Sequence, residues 1–212
     1  MRPIGLIDYG MGNLHSVNRA FKRLDEPLKL VKTSNDIKNC SALILPGVGA
    51  FDPAMDHLRG TKLVPFLKEW ALEDKPLLGI CLGLHLLFDT SEEGESRGLG
   101  IIKGEVKRLP QTTKEKIPHM GWAPLIKENL CPLIKLQSKQ NWVYFVHSYC
   151  GVPINSKEIS ATVNFGDKKI AAIVWKGRVG ACQFHPEKSS KSGEMMLKNW
   201  INWLKDGAIS IK

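Results

Sequence analysis

Solid apolar runs alternate with helical periodicity along the first ninety or so residues. Residues 3–9 (PIGLIDY), 28–31 (LKLV) and 41–47 (SALILPG) are strand-like, and 76–80 (PLLGI) is a continuous apolar strand. Between them, Leu14, Val17, Ala20, Phe21 and Leu24 recur at helical spacing in 14–24. Residues 50–59, 62–74 and 82–91 carry further helical patterns, with Pro53 and Pro65 near the starts of theirs. Strands that are apolar throughout have no solvent face, so they belong in a parallel sheet covered by helices on both sides. The second half changes character. Short strand-like pieces stand at 104–109, 142–149, 159–165, 170–176 and 179–185, and turns such as GDKK and WKGR separate the later ones. A last helix is predicted over 192–207. The pattern predicts one α/β domain over 1–212, with a mostly parallel central sheet, helices on both faces and an antiparallel portion in the second half. No internal repeat or low-complexity linker interrupts it, and 110–116 (PQTTKEK) reads as the most exposed loop.

A chain of 212 residues is long enough to bury a full core. No apolar run approaches the roughly 20 residues of a membrane span. The opening MRPIGLIDYG enters a strand-like pattern at once and lacks the features of a signal peptide, so a cytoplasmic location is expected. Cys40, Cys81, Cys131, Cys150 and Cys182 are scattered without CxxC pairs, which argues against a disulfide framework and against a zinc site. The net charge of +9 is mostly dispersed lysine. With no dense basic block and no nucleic-acid-binding signature, a solvated surface is the reading preferred to nucleic-acid binding.

Against that background Gly79-Ile80-Cys81-Leu82-Gly83 stands out. It has the form G-x-nucleophile-x-G between a predicted strand and a predicted helix, the pattern of a nucleophile elbow with sulfur in place of oxygen. The glycines make room for a sharp turn. The following helix N-terminus favours a thiolate, and the Leu82 N–H would face the oxygen of the reacting carbon. A buried packing cysteine is the alternative. It loses ground at residues 181–189 (ACQFHPEKS), where His185 and Glu187 lie two apart with Pro186 between them. In an extended segment both would point the same way, so that Glu187 could orient His185 toward Cys81. Residues 44–51 (ILPGVGAF) form a third part, in which Val48 and Gly49 are candidates for a second oxyanion N–H and for close substrate approach.

With these residues in view, the chain resembles the class I glutamine amidotransferases, the Cys–His–Glu glutaminase family, and within it the glutaminase subunits of histidine biosynthesis. The resemblance runs through IDYGMGNLHSV (7–17), LPGVGAFDPAM (45–55), GICLG (79–83), SEEG (91–94), IPHMGW (117–122), YFVHSY (144–149) and QFHPEKS (183–189). It implies the flavodoxin-like fold of that family. It implies attack by Cys81 on the carboxamide carbon of glutamine, proton transfer by His185, and a γ-glutamyl thioester that water resolves to glutamate. It implies glutamine contacts by Glu93, Tyr144 and Ser148 besides the backbone at Gly49 and Leu82. It further implies a heterodimer in which ammonia passes to a (β/α)8-barrel cyclase subunit; no cofactor and no metal are expected.

One position departs from the family pattern. The residue four after the nucleophile is usually glutamine, and here it is His85. On a helix that position leans back toward the nucleophile. A neutral imidazole offers one donor and one acceptor, a partial stand-in for an amide. His85 is therefore expected to contact substrate rather than to serve as the base, with plain helix packing as the alternative. His119 and His147 lie in family motifs, His147 either lining the pocket or structural; His15 and His57 are expected at the surface or in packing. Asn13, Met120 and Trp122 are candidates for a partner-facing rim, since large apolar groups suit interface cores. Two other readings remain open: another triad enzyme on a similar fold, such as a cysteine peptidase or γ-glutamyl hydrolase, and a binding protein that has lost activity.

Overall fold

The computed structural model describes residues 2–112, 115–135 and 141–211. In chain order its elements are β1 (Ile4–Ile7), α1 (Leu14–Lys22), β2 (Lys29–Val31), α2 (Ser34–Lys38), β3 (Ala42–Gly47), α3 (Phe51–Gly60), α4 (Val64–Leu72), β4 (Leu77–Cys81) and α5 (Leu82–Leu86). There follow β5 (Thr90–Ser91), β6 (Gly104–Arg108), β7 (His119–Pro124), β8 (Ile126–Lys127), β9 (Trp142–His147) and β10 (Tyr149–Pro153). The chain ends with β11 (Ile159–Phe165), β12 (Lys168–Lys176), β13 (Val179–Cys182) and α6 (Ser190–Lys205).

Eight strands make the central sheet in the order β2-β1-β3-β4-β13-β12-β11-β8. The first five are mutually parallel and the last three run antiparallel to their neighbours. Side-chain alternation divides the core into two layers. Ile44, Leu78 and Ile80 point to the side covered by Phe21 of α1 and by Met196, Leu197, Trp200 and Ile201 of α6. Leu43, Leu45 and Leu77 point to the side covered by Phe51, Met55 and Leu58 of α3 and by Leu67 and Trp70 of α4. Each such side chain removed from water contributes about 1.5–3 kcal/mol, which is why the strands read as solid apolar runs. The expected α/β architecture with an antiparallel second half is the one observed.

Two local expectations need correcting, and two elements carried no signal in the sequence. The helix expected over 82–91 stops at Leu86, because the chain returning at 99–102 caps its last carbonyls: Leu99 N–H donates to Leu86 O at 2.8 Å and Ile101 N–H to Leu87 O at 2.9 Å. The strand expected over 142–149 is two strands. It breaks at Ser148, whose carbonyl accepts from Leu109 N–H at 2.9 Å, and it passes from a ribbon with β7 to a small sheet with β6 and β5. Strand β7 itself gave no strand signal, since Gly121 and Pro124 interrupt the apolar pattern and Met120 and Trp122 are exposed. Helix α2 is too short for periodicity and is held by the Asp36 carboxylate, which accepts from Thr33 N–H at 3.0 Å. Of the loop expected at 110–116, residues 113–114 lie outside the described residues. Among the described residues no helix is long and apolar enough to cross a membrane.

The turn from β4 into α5 is the tightest junction of the fold. A Cβ at Gly83 would overlap the Leu45 carbonyl, so only glycine lets α5 start directly against β3. Gly83→Ala is therefore expected to destabilise the protein by at least the 1–3 kcal/mol or so typical of overpacking. Urea denaturation would check this; an unchanged midpoint would refute the close approach.

Candidate active site

Cys81 ends β4 and caps α5 with φ +55° and ψ −111°, a left-handed backbone that a side-chain-bearing residue adopts only under strain. The strain is held by register. Gly47 pairs with Cys81, and Ala181 with Gly79, so the turn is clamped between β3 and β13. Beyond β13, Gln183 N–H donates to Ala172 O at 2.9 Å and His185 N–H to Tyr144 O at 3.1 Å. Ser189 Oγ donates to His185 O at 2.7 Å and accepts from Tyr144 N–H at 3.0 Å. These bonds fix the His185 backbone from two sides.

Glu187 reaches His185 differently from the expected extended segment. Residues Pro186–Lys188 form a 3-10 turn, which folds the carboxylate back so that Oε1 lies 2.8 Å from His185 Nδ1. Both side chains are buried. Burial disfavours a charged imidazole, but the approach of Cys81 and Glu187 outweighs it and holds His185 at about 10, well above its ordinary value. The arrangement thus keeps an imidazolium between a sulfur nucleophile and a carboxylate, which suits nucleophilic attack followed by proton donation to a leaving group.

A cavity of about 360 Å³ opens over Cys81. Of the residues singled out from the sequence, it brings together Val48, Gly49, Cys81, Leu82, His85, Glu93, His147, Ser148 and His185. Tyr144 is not among the lining residues: it sits one strand pleat (about 7 Å) farther along β9 than Val146, which is, and its ring meets Trp122 edge-on at 6.0 Å. Tyr149 lines the cavity instead. Nothing in the local spacing favours it, because the break at Ser148 that turns it inward depends on β6. A trough of about 780 Å³ at the opposite, amino edge of β4 and β13 is larger but is lined by groups such as Lys68, Leu72, Arg97 and Lys103, with no cysteine, serine or histidine.

Glu93 Oε2 accepts from Phe51 N–H at 3.0 Å at the start of α3. Burial raises its pKa while this bond lowers it. His85 is buried, with Nε2 2.9 Å from Gln183 Oε1. The ring is held between the Gln183 side chain and the Tyr149 main chain. Burial holds His85 at about 4, despite the pull of Gln183 and the Tyr149 main chain. His147 Nδ1–H donates to Tyr149 O at 2.8 Å, which leaves its Nε2 to accept from His119 Nδ1–H at 3.3 Å. His15 and His57 are exposed. Asn13 caps α1 by accepting from Ser16 N–H at 3.2 Å. Near the site, Val48 is 40% exposed, Met120 63%, Trp122 49% and Trp142 50%. Among the described residues no cluster of three or more His, Cys, Asp and Glu groups is placed to hold a metal ion.

The fold and this geometry agree with a family match: residues 5–203 fit the model for glutamine amidotransferase class-I. The chain belongs to the class I glutamine amidotransferase family. Within it the chain is 60% identical, over 202 residues and 95% of each sequence, to imidazole glycerol phosphate synthase subunit HisH of Prochlorococcus marinus. It is 58% identical to the subunit of the same name from a Synechococcus species, over 97% of this chain and 96% of that one. Among solved structures, a glutamine amidotransferase superposes with TM-score 0.74 at 20% identity, covering 95% of this chain and 98% of the other. PurLQS from Thermotoga maritima superposes with TM-score 0.71 at 21% identity, covering 96% and 100%. These two likenesses concern the fold.

Two buried histidines give the site a testable acid sensitivity. His85 and His147 are held at about 4 and about 3, against an ordinary 6.5. Between the folded and unfolded values the unfolded chain binds more protons. The stability each neutral ring carries is therefore fully present above about 6.5 and is lost as the pH falls through the folded value. His85→Gln should flatten the fall in urea-unfolding free energy between pH 6.5 and 4 by up to about 1 kcal/mol per pH unit. Parallel curves for the two proteins would show that His85 is not held neutral.

Proposed function

We propose that the chain is the glutaminase subunit of an imidazole glycerol phosphate synthase, hydrolysing glutamine to glutamate and delivering ammonia within histidine biosynthesis. The observation that carries the mechanism is the Cys81–His185–Glu187 alignment at a strained strand–helix turn. The Cys81 sulfur attacks the side-chain carboxamide carbon, and the carbonyl electrons move to its oxygen. The Leu82 N–H and the Val48–Gly49 segment receive that oxyanion. As the tetrahedral adduct collapses, the C–N bond breaks and His185 gives its proton to the departing ammonia. Water, deprotonated by the now neutral His185, adds to the γ-glutamyl thioester. The second collapse restores the sulfur and releases glutamate.

The rest of the cavity supplies recognition. Glu93, anchored through one oxygen, offers the other to the α-ammonium group of glutamine. His85, which lines the cavity, offers its imidazole as a hydrogen-bonding group where the family pattern has an amide. Ser148 and Tyr149 complete the pocket, with Tyr149 replacing Tyr144 as the contact. The family match favours glutamine over a peptide as the substrate.

Ammonia in water is mostly protonated and not nucleophilic, so a subunit that makes it for another reaction needs a covering partner. Val48 lines the cavity, Met120 lies opposite the lining residue Val146, and Trp122 and Trp142 extend this exposed apolar rim along the β7–β9 ribbon. We assign this rim to a cyclase subunit with a (β/α)8 barrel, and the location to the cytoplasm. The five buried, unpaired cysteines suit a reducing compartment.

Glutamate release should rise strongly when the matching cyclase and its nucleotide substrate are added. Cys81→Ala should abolish it, and Glu187→Gln should lower kcat by about 10²-fold or more. A wild-type complex that forms yet yields no glutamate would overturn the reading. His85→Gln should retain turnover and shift mainly KM; loss of kcat at unchanged KM would instead make His85 part of the chemistry. Met120→Asp should weaken cyclase binding while leaving alkylation of Cys81 by iodoacetamide unchanged; undiminished binding would place the partner elsewhere.

A further inference from the structure

The oxyanion segment has little of its own to hold it in place. Gly47 is the last residue of β3 and the last in register with β4. Val48 is 40% exposed, so its side chain provides no anchor. Glycines on either side of Val48 leave the segment torsionally soft. Yet an oxyanion donor works only if its N–H already points at the position the oxygen will take.

The anchor comes from the loop that follows β1. Tyr9 is buried, and its hydroxyl donates to the Pro46 carbonyl at 2.8 Å across 37 residues of sequence. The same oxygen presses on the next residue, since a Cβ at Gly47 would lie 2.7 Å from Tyr9 Oη. Neighbouring residues continue the contact: a Cβ at Gly12 would lie 3.3 Å from Pro46 Cγ, and one at Gly49 would lie 3.0 Å from Met11 Cε. The loop is itself fixed at both ends, by Asp8 N–H donating to Val31 O at 2.9 Å and by the Asn13 cap on α1. Burial, reinforced by the nearby Cys81, pushes the Tyr9 phenol above its ordinary value, so it stays a donor throughout the working pH range.

We infer that Tyr9 is a positioning residue for glutamine hydrolysis: by holding the Pro46 carbonyl it sets the Pro46–Gly47 peptide plane and so aims the N–H groups of Val48 and Gly49 at the developing oxyanion. Tyr9 acts through main chain and makes no hydrogen bond to substrate. The inference rests on the glutaminase reading and assigns a role to a residue outside the cavity lining. Loss of the hydroxyl would leave the ring in place and a buried carbonyl unpaired, free to swing about the Gly47 torsions.

The test is Tyr9→Phe in the complex with the cyclase, beside wild type and Cys81→Ala. Removing a whole oxyanion donor costs about 10²–10³ in kcat, so misaiming one should cost about tenfold or more, with KM within about twofold. Two reagents separate positioning from damage. Glutamate γ-semialdehyde binds as a thiohemiacetal: Cys81 sulfur bonds to the aldehyde carbon, and the carbonyl pair moves to oxygen in the oxyanion site. Iodoacetamide alkylates the same sulfur by displacing iodide and forms no oxyanion. Tyr9→Phe should weaken aldehyde affinity by about the factor lost in kcat while alkylating within about twofold of the wild-type rate. Wild-type kcat in the variant would overturn the inference. So would a parallel fall in alkylation, which would mean that the thiol or the packing, and not the oxyanion segment, is what Tyr9 supports. A wild-type complex that neither hydrolyses glutamine nor binds the aldehyde would overturn the glutaminase reading and this inference with it.

Discussion

A side-chain-bearing residue in left-handed backbone, Cys81 at φ +55°, has to be held there by its surroundings. Most of the molecule can be traced from that constraint. Helix α5 starts immediately after β4, so Gly83 must lie on the Leu45 carbonyl and Gly79 against Ala181 and Gly83. That contact is possible only if β3, β4 and β13 are central, parallel and packed on both faces. Such strands in turn require the two helical layers that bury Trp200 on one side and Phe51 on the other. The strain at Cys81 is therefore offset by core burial spread over the whole sheet.

The same sheet edge gathers the remaining groups by different means. His185 arrives on the continuation of β13, directly beside the nucleophile's strand, and its backbone is clamped by Tyr144 and Ser189. The oxyanion segment arrives at the end of β3, on the other side of β4. Glu93 arrives on a loop whose turn is tied down by Asp52, which accepts from Glu95 and Ser96 N–H at 2.9 and 3.0 Å. The charges are ordered the same way: a carboxylate behind an imidazolium behind a sulfur, with two neutral histidines nearby. Because burial keeps His85 and His147 uncharged, they do not compete with His185 for the proton or repel it.

Much of this was legible in the chain. The elbow could be read because its glycines are local requirements of a local turn. The HPE group could be read because its residues are two apart and interact with each other. The parallel sheet could be read because burial on both faces leaves an unbroken apolar run. What escaped was set by partners distant in sequence. Tyr149 rather than Tyr144 lines the cavity because β6 captures the chain at Ser148. The 3-10 turn that swings Glu187 onto His185 was hidden under an extended reading. The short α5 was hidden because residues 99–102 return to cap it.

The sequence by itself determined the fold class and singled out the candidate nucleophile, its histidine and the carboxylate behind it, because each of these depends on neighbours a few residues away or on a repeating burial pattern. Only the tertiary structure decided how the site is aimed. The pairing of His85 with Gln183, the grip of Tyr9 on Pro46 and the apolar rim around the cavity join residues separated by tens of positions. Such contacts follow from sheet order and register, which bring distant segments to one edge and which no local spacing encodes.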